Sequence, residues 1–126
     1  MKRVLLIIAA LFCFSAYAAD YTNVVVPRPL SCTAVEGSFI LTPKVVVRAE
    51  SQSLVGAANI FTQSLEPVLG KALIVKKTAP RTGAINLSID STLEAEQYML
   101  KITKAGVWIV GGSERGVFFG LQSLLQ

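Results

Sequence analysis

Glu94 and Glu96 lie two positions apart, just ahead of an apolar run that starts at Tyr98. Two carboxylates held close together can divide general acid and general base work between them. Nothing in the neighbouring sequence supplies an apolar surround or an opposing partner that would raise one pKa, so the pair reads as a solvated turn. Gly111-Gly112-Ser113-Glu114-Arg115-Gly116 falls between a strand pattern and a helix pattern, where free backbone N–H groups can cradle a phosphate. Its spacing fits neither G-x-G-x-x-G nor the P-loop, and Glu114 opposes an anion, so a strand-to-helix turn is the better reading. Lys76, Lys77 and Arg81 cluster around a loop that could touch an acidic glycan or a lipid headgroup. Without interleaved aromatics they read as a solvated strand end. Tyr98 and Trp108 belong to one hairpin; exposed aromatics stack on sugar rings, but strand aromatics more often serve core or cross-strand packing. Cys32 reads as a small apolar filler. The chain has no histidine, which excludes Ser-His-Asp and Cys-His nucleophile systems and histidine-rich zinc sites within it.

The elements that carry these residues follow from periodicity. Phe39–Thr42 and Val45–Arg48 are short β-prone runs separated by Pro43-Lys44, predicting two strands. Leu54, Ala58, Phe61, Leu65 and Val68 recur at helical spacing, with Ser51 or Ser53 to cap the helix, Pro67 to end or kink it near its last turn, and Gly70 just beyond. Leu73–Lys76 and Ala84–Ile89 read as strands, the second alternating apolar and polar. Tyr98–Thr103 and Val107–Val110 form a hairpin through Lys104-Ala105-Gly106. Ser113 caps a final helix from about Glu114. The hairpins and the one-sided helices predict an α+β two-layer sandwich: a mostly antiparallel sheet of about six strands with two helices on one face. No helix stop signal precedes Gln126, so the expectation is a segment of a longer chain.

The opening residues predict export. Lys2 and Arg3, the apolar run Val4–Phe14 and the small-x-small site Ala16-Tyr17-Ala18 make a secretory signal peptide over residues 1–18, with the mature chain starting at Ala19. The apolar run falls short of the roughly 20 residues that span a bilayer as a helix, so no membrane association is expected once the signal is removed. Cys13, preceded by the bulky Phe12, is a poor lipid-attachment site. Residues 19–126 form one domain, with only Cys32 left and hence no internal disulfide. Pro27 and Pro29 bias Asp20–Leu30 towards an extended run. The formal charge of +4 falls to +2 without Lys2 and Arg3, and nucleic acid is not implied.

Asn23-Val24-Val25-Val26-Pro27-Arg28-Pro29 followed by Gly37-Ser38-Phe39-Ile40-Leu41 resembles the opening of bacterial family 20 glycoside hydrolases, the β-N-acetylhexosaminidases. Tyr98-Met99-Leu100-Lys101-Ile102, Val107-Trp108-Ile109-Val110-Gly111 and Gly116-Val117-Phe118-Phe119-Gly120-Leu121-Gln122-Ser123-Leu124-Leu125-Gln126 are similar to that family's Y-x-L-x-I, I-x-G and G-x-F-Y-G-L-Q-T-L-x-Q pattern. Phe119 stands for its usual Tyr and Ser123 for its usual Thr. The resemblance implies that residues 19–126 are a non-catalytic α+β domain preceding a (β/α)₈ catalytic barrel that this sequence does not contain. It implies a periplasmic or secreted parent enzyme that removes terminal β-linked N-acetylhexosamine by substrate-assisted retaining hydrolysis, an exception to the usual two-carboxylate scheme. The acid and the positioning carboxylate would belong to the barrel, so no catalytic residue is carried over, the segment alone is expected to be inactive, and neither metal nor organic cofactor is implied. Related domains precede barrels in α-glucuronidases and O-GlcNAcases, and a free-standing exported glycan- or protein-binding module is the alternative.

The final helix adds one site. Helical spacing sets Val117, Phe118, Leu121, Leu124 and Leu125 towards the sheet and Phe119, Gln122, Ser123 and Gln126 away from it. Phe119, Gln122 and Gln126 are therefore the candidate barrel-facing residues, an aromatic on a polar face being a mark of a contact surface.

Overall fold

The structure, a computed structural model, describes residues 30–126; the signal peptide expected over residues 1–18 and nearly all of the Asp20–Leu30 segment expected to be extended lie outside the described residues. The element order is β1 (Val46–Ala49), a 3₁₀ turn (Gln52–Leu54), α1 (Val55–Leu69), β2 (Ile74–Lys76), β3 (Ile85–Ile89), β4 (Tyr98–Thr103), β5 (Gly106–Gly111) and α2 (Glu114–Leu124). The sheet runs β2-β1-β3-β5-β4.

The α+β class stands, while the sheet corrects the expected strand count and direction. Among the described residues it has five strands and is mixed: β1 pairs in parallel with β2 and β3, β3 in parallel with β5, and only β4 with β5 is antiparallel. The physical cause is α1, a crossover that returns the chain to the end of the sheet from which β1 started. Phe39–Thr42 is not a strand. Phe39 and Leu41 instead pack on the core from an irregular segment, so the apolar alternation there reports burial and not a ladder.

α1 packs on β1 and β2, α2 on β3, β4 and β5, and the two helices touch each other, so both lie on one face of the sheet. Val47, Ala49, Ile85, Leu87, Val107 and Ile109 point into that layer and meet Leu54, Ala58 and Phe61 from the α1 region and Val117 and Leu121 from α2. Each fully buried large aliphatic or aromatic side chain contributes about 1.5–3 kcal/mol.

Several local expectations shift. Ser51 is the N-cap of the 3₁₀ turn but makes no capping bond, its hydroxyl pairing instead with that of Ser53 at 2.9 Å. Pro67 sits in the last turn of α1, which ends at Leu69 with Gly70 at φ 83° closing it. Left-handed backbone of that kind is where glycine is favoured. Val68, expected in the apolar stripe, is 81% exposed, and Leu69 is the residue that packs on the core. Cys32 is exposed in the leading segment and fills no core position. Among the described residues no helix is long and apolar enough to cross a membrane.

Candidate functional site

The sequence-flagged residues do not converge. Glu96 is taken by Arg115, its Oε1 accepting from Nη1 at 2.8 Å on an exposed surface, an ion pair worth at most about 1 kcal/mol there. Glu94 is exposed, and its backbone N–H donates to Gln97 Oε1 at 3.2 Å. Neither carboxylate has an opposing acid, so general acid and base work has no footing. Asp90 accepts from the Thr92 hydroxyl at 2.6 Å and the Thr92 backbone at 2.9 Å, which holds its carboxyl below the usual range, the side-chain bond mattering most. Because the folded value is depressed, the associated stabilisation is complete above the unfolded-chain value and is lost as pH falls through the folded value. Thr92→Val should move the Asp90 titration, followed by carbonyl NMR, back up towards an ordinary carboxylate.

The Gly111–Gly116 turn holds no anion cradle, because protein carbonyls already fill it. Gly112 N–H donates to Gln97 O at 2.9 Å, the Ser113 hydroxyl donates to Ala95 O at 2.5 Å and accepts from Arg115 N at 3.2 Å, and Asp90 N–H donates to Gly111 O at 2.9 Å. The turn is a brace that binds the loop after β3 to the start of α2. Ser113 is the N-cap of α2, as the sequence predicts. Tyr98 and Trp108 diverge: Tyr98 pairs with Gly111 and Trp108 with Lys101, which puts the two rings on opposite faces of the sheet.

The outer surface of α2 is the candidate contact site. Phe119 is 38% exposed. Phe118, expected to cover the sheet, is half-buried beside it, with ring centroids 6.1 Å apart and planes tilted by 57°. Such an inclined pair is a favourable aromatic geometry. Gln122 is half-buried and Gln126 exposed. Ser123 corrects the expectation in the other direction: it is buried at 8% exposure and hydrogen-bonds the Tyr98 hydroxyl. Gly116 and Gly120 explain the rotation. A Cβ on Gly120 would sit 2.5 Å from Ile109 Cγ2, and one on Gly116 2.5 Å from Gln97 O. Their i,i+4 spacing therefore marks the side of α2 that comes closest to the sheet, a signal that reading apolar residues alone misses.

Among the described residues no group of three or more metal-ligating side chains comes together, and no catalytic constellation is assembled. A sequence model for glycosyl hydrolase family 20, domain 2, matches residues 22–126. A β-hexosaminidase of Porphyromonas gingivalis is 30% identical over 105 residues, covering 81% of this chain and 14% of that protein. The Streptomyces plicatus N-acetyl-β-hexosaminidase in complex with Thio-NAglucal superposes with a TM-score of 0.76 at 26% identity, covering 85% of this chain and 21% of that one. The GH20 β-N-acetylhexosaminidase of Streptomyces coelicolor A3(2) shares the fold at a TM-score of 0.71 and 23% identity, over 80% of this chain and 20% of that one. The chain belongs to glycosyl hydrolase family 20, of which it carries domain 2. It spans 14% of the length of its P. gingivalis relative.

Proposed function

We propose that this domain is the accessory unit of an exported β-N-acetylhexosaminidase, whose chemistry resides in a (β/α)₈ barrel of the same protein. The observation that carries the reading is the family match across residues 22–126, together with relatives several times longer than the matched region. The barrel would take a glycan ending in β-linked N-acetylhexosamine and use the substrate's acetamido oxygen as nucleophile. The domain's part is to pack against it. The α2 surface of Phe118, Phe119, Gln122 and Gln126 suits that contact, an aromatic pair rimmed by amides being apolar at its centre and hydrogen-bonding at its edge.

The activity test compares the full-length protein with residues 19–126 on a chromogenic N-acetylglucosaminide: the full-length protein should release nitrophenol and the segment none. A full-length protein inactive on both N-acetylglucosaminide and N-acetylgalactosaminide overturns the reading. Export predicts a mature N-terminus at Ala19, to be read by mass spectrometry of protein recovered from periplasm or medium. The contact predicts that Phe119→Ser leaves the isolated domain's melting within about 0.5 kcal/mol of the parent while lowering that of the full-length enzyme. An unchanged full-length melting profile sinks the α2 interface.

A further inference from the structure

The sheet face opposite the helices carries one continuous row of side chains. Register places Lys76 beside Arg48, Arg48 beside Asn86, Asn86 beside Trp108 and Trp108 beside Lys101. With strands about 4.8 Å apart, the row spans roughly 19 Å across all five strands. Arg81 reaches the same face, where Glu50 lies 3.6 Å from its Nη2 and 3.8 Å from Arg48 Nη1. Arg48 and Arg81 share this one carboxylate, while Lys76 and Lys101 stand in the same row outside its ion pairs.

These groups are unsaturated. Among the described residues neither Lys76 nor Lys101 forms an ion pair, and the Trp108 indole N–H has no acceptor. Arg48 Nε is buried without a partner, as is the Oδ1 of Asn86, a residue only 5% exposed. The Trp108 ring, half-buried, reaches along its strand over Gly106: a Cβ there would lie 3.3 Å from its Cη2, so the glycine leaves the ring room. Asn86 Nδ2 stiffens the platform by donating to Val107 O at 3.1 Å and Arg81 O at 3.0 Å.

We propose that this face binds an acidic polysaccharide, with the Trp108 ring stacked under one pyranose and Arg48, Arg81, Lys76 and Lys101 pairing with carboxylates or sulfates on either side. Charge complementarity selects an anion, and a single indole between cations selects a sugar ring over a bilayer. The site is separate from the barrel chemistry proposed above and lies on the side of the sheet away from the α2 contact. It would hold the enzyme on a charged glycan matrix while the barrel trims neutral termini.

The test uses the full-length protein with polygalacturonate as probe, and chitohexaose, poly(dT) and phosphatidylglycerol vesicles as comparators, at two salt concentrations. Lys76→Glu combined with Lys101→Glu, both exposed positions, should weaken polygalacturonate binding at least tenfold while nitrophenol release from the chromogenic substrate is unchanged. Trp108→Ala should weaken it comparably, and Trp108→Tyr should restore much of the loss. Unaltered binding in the double variant overturns the proposal. Poly(dT) or vesicles bound as tightly as polygalacturonate, with no dependence on Trp108, also overturn it, leaving a non-specific basic surface. Loss of chromogenic activity in the parent protein bears on the hexosaminidase reading alone and leaves the polysaccharide measurement standing.

Discussion

Gly112→Val should cost the domain about 3 kcal/mol or more, at the upper end of what overpacking costs, and lower its melting temperature by more than about 10 °C. A Cβ at this position would fall 2.6 Å from the Glu94 carbonyl carbon, nearer still to its oxygen, and 2.8 Å from Leu93 O. All three atoms are backbone, so no rotamer change relieves the overlap. The loop would have to withdraw, breaking the Gly112 to Gln97 hydrogen bond and the Ser113 to Ala95 bond together. Gly56→Ala is the matched control. It sits in α1 with nothing near its added methyl, and should stabilise by about 0.5–1 kcal/mol because alanine favours helix. Thermal denaturation of the two variants checks both signs, and a Gly112→Val protein that melts like the parent would show that the brace does not contribute to stability.

Phe61→Ala should cost about 3–5 kcal/mol, the range for truncating a buried aromatic. Phe61 is 1% exposed at the centre of α1 and borders a half-open apolar hollow together with Phe39, Leu41, Ile85, Val107 and Leu124. Removing the ring deletes apolar contacts on both the sheet and the α1 side of the core, and the cost grows with whatever space the neighbours fail to fill. Against a typical folding free energy of about 5–15 kcal/mol, this change alone can unfold an isolated domain. Urea denaturation should show the midpoint falling with the slope unchanged; a loss below about 1 kcal/mol would mean that Phe61 is not central to the core.

The elements were legible in the sequence because each has a local cause. Leu54, Ala58 and Phe61 mark α1 at helical spacing, and Ile85 and Leu87 mark a buried strand, although the expected alternation fails at Asn86, which is buried, and at Ile89, which is exposed. Strand direction was not legible, since alternation is the same in parallel and antiparallel ladders and only the α1 crossover distinguishes them. Phe39 and Leu41 misled for a related reason: they face the core without any ladder partner. At the candidate contact site, Phe119 could be read from helical spacing. Phe118 and Ser123 exchanged places with their expected neighbours because Gly116 and Gly120, which carry no hydrophobic signal, decide which side of α2 comes closest to the sheet. The row across the open face was hidden because Lys76, Arg48, Trp108 and Lys101 are far apart in sequence and meet only through strand register.

The brace at Gly112 also fixes how this end of the domain moves in time. Residues 90–97, polar and exposed, have the composition of a surface loop whose backbone amides exchange with solvent within seconds. Here the N–H groups of Asp90, Leu93, Gln97 and Gly112 are all committed to backbone acceptors. To free the Asp90 and Gly112 amides, the loop must lift from both β5 and the start of α2, an opening that approaches cooperative unfolding of the domain in free energy. Deuterium uptake at these two positions should therefore be as slow as in the strands, making a segment that looks like a hinge one of the stiffest parts of the fold.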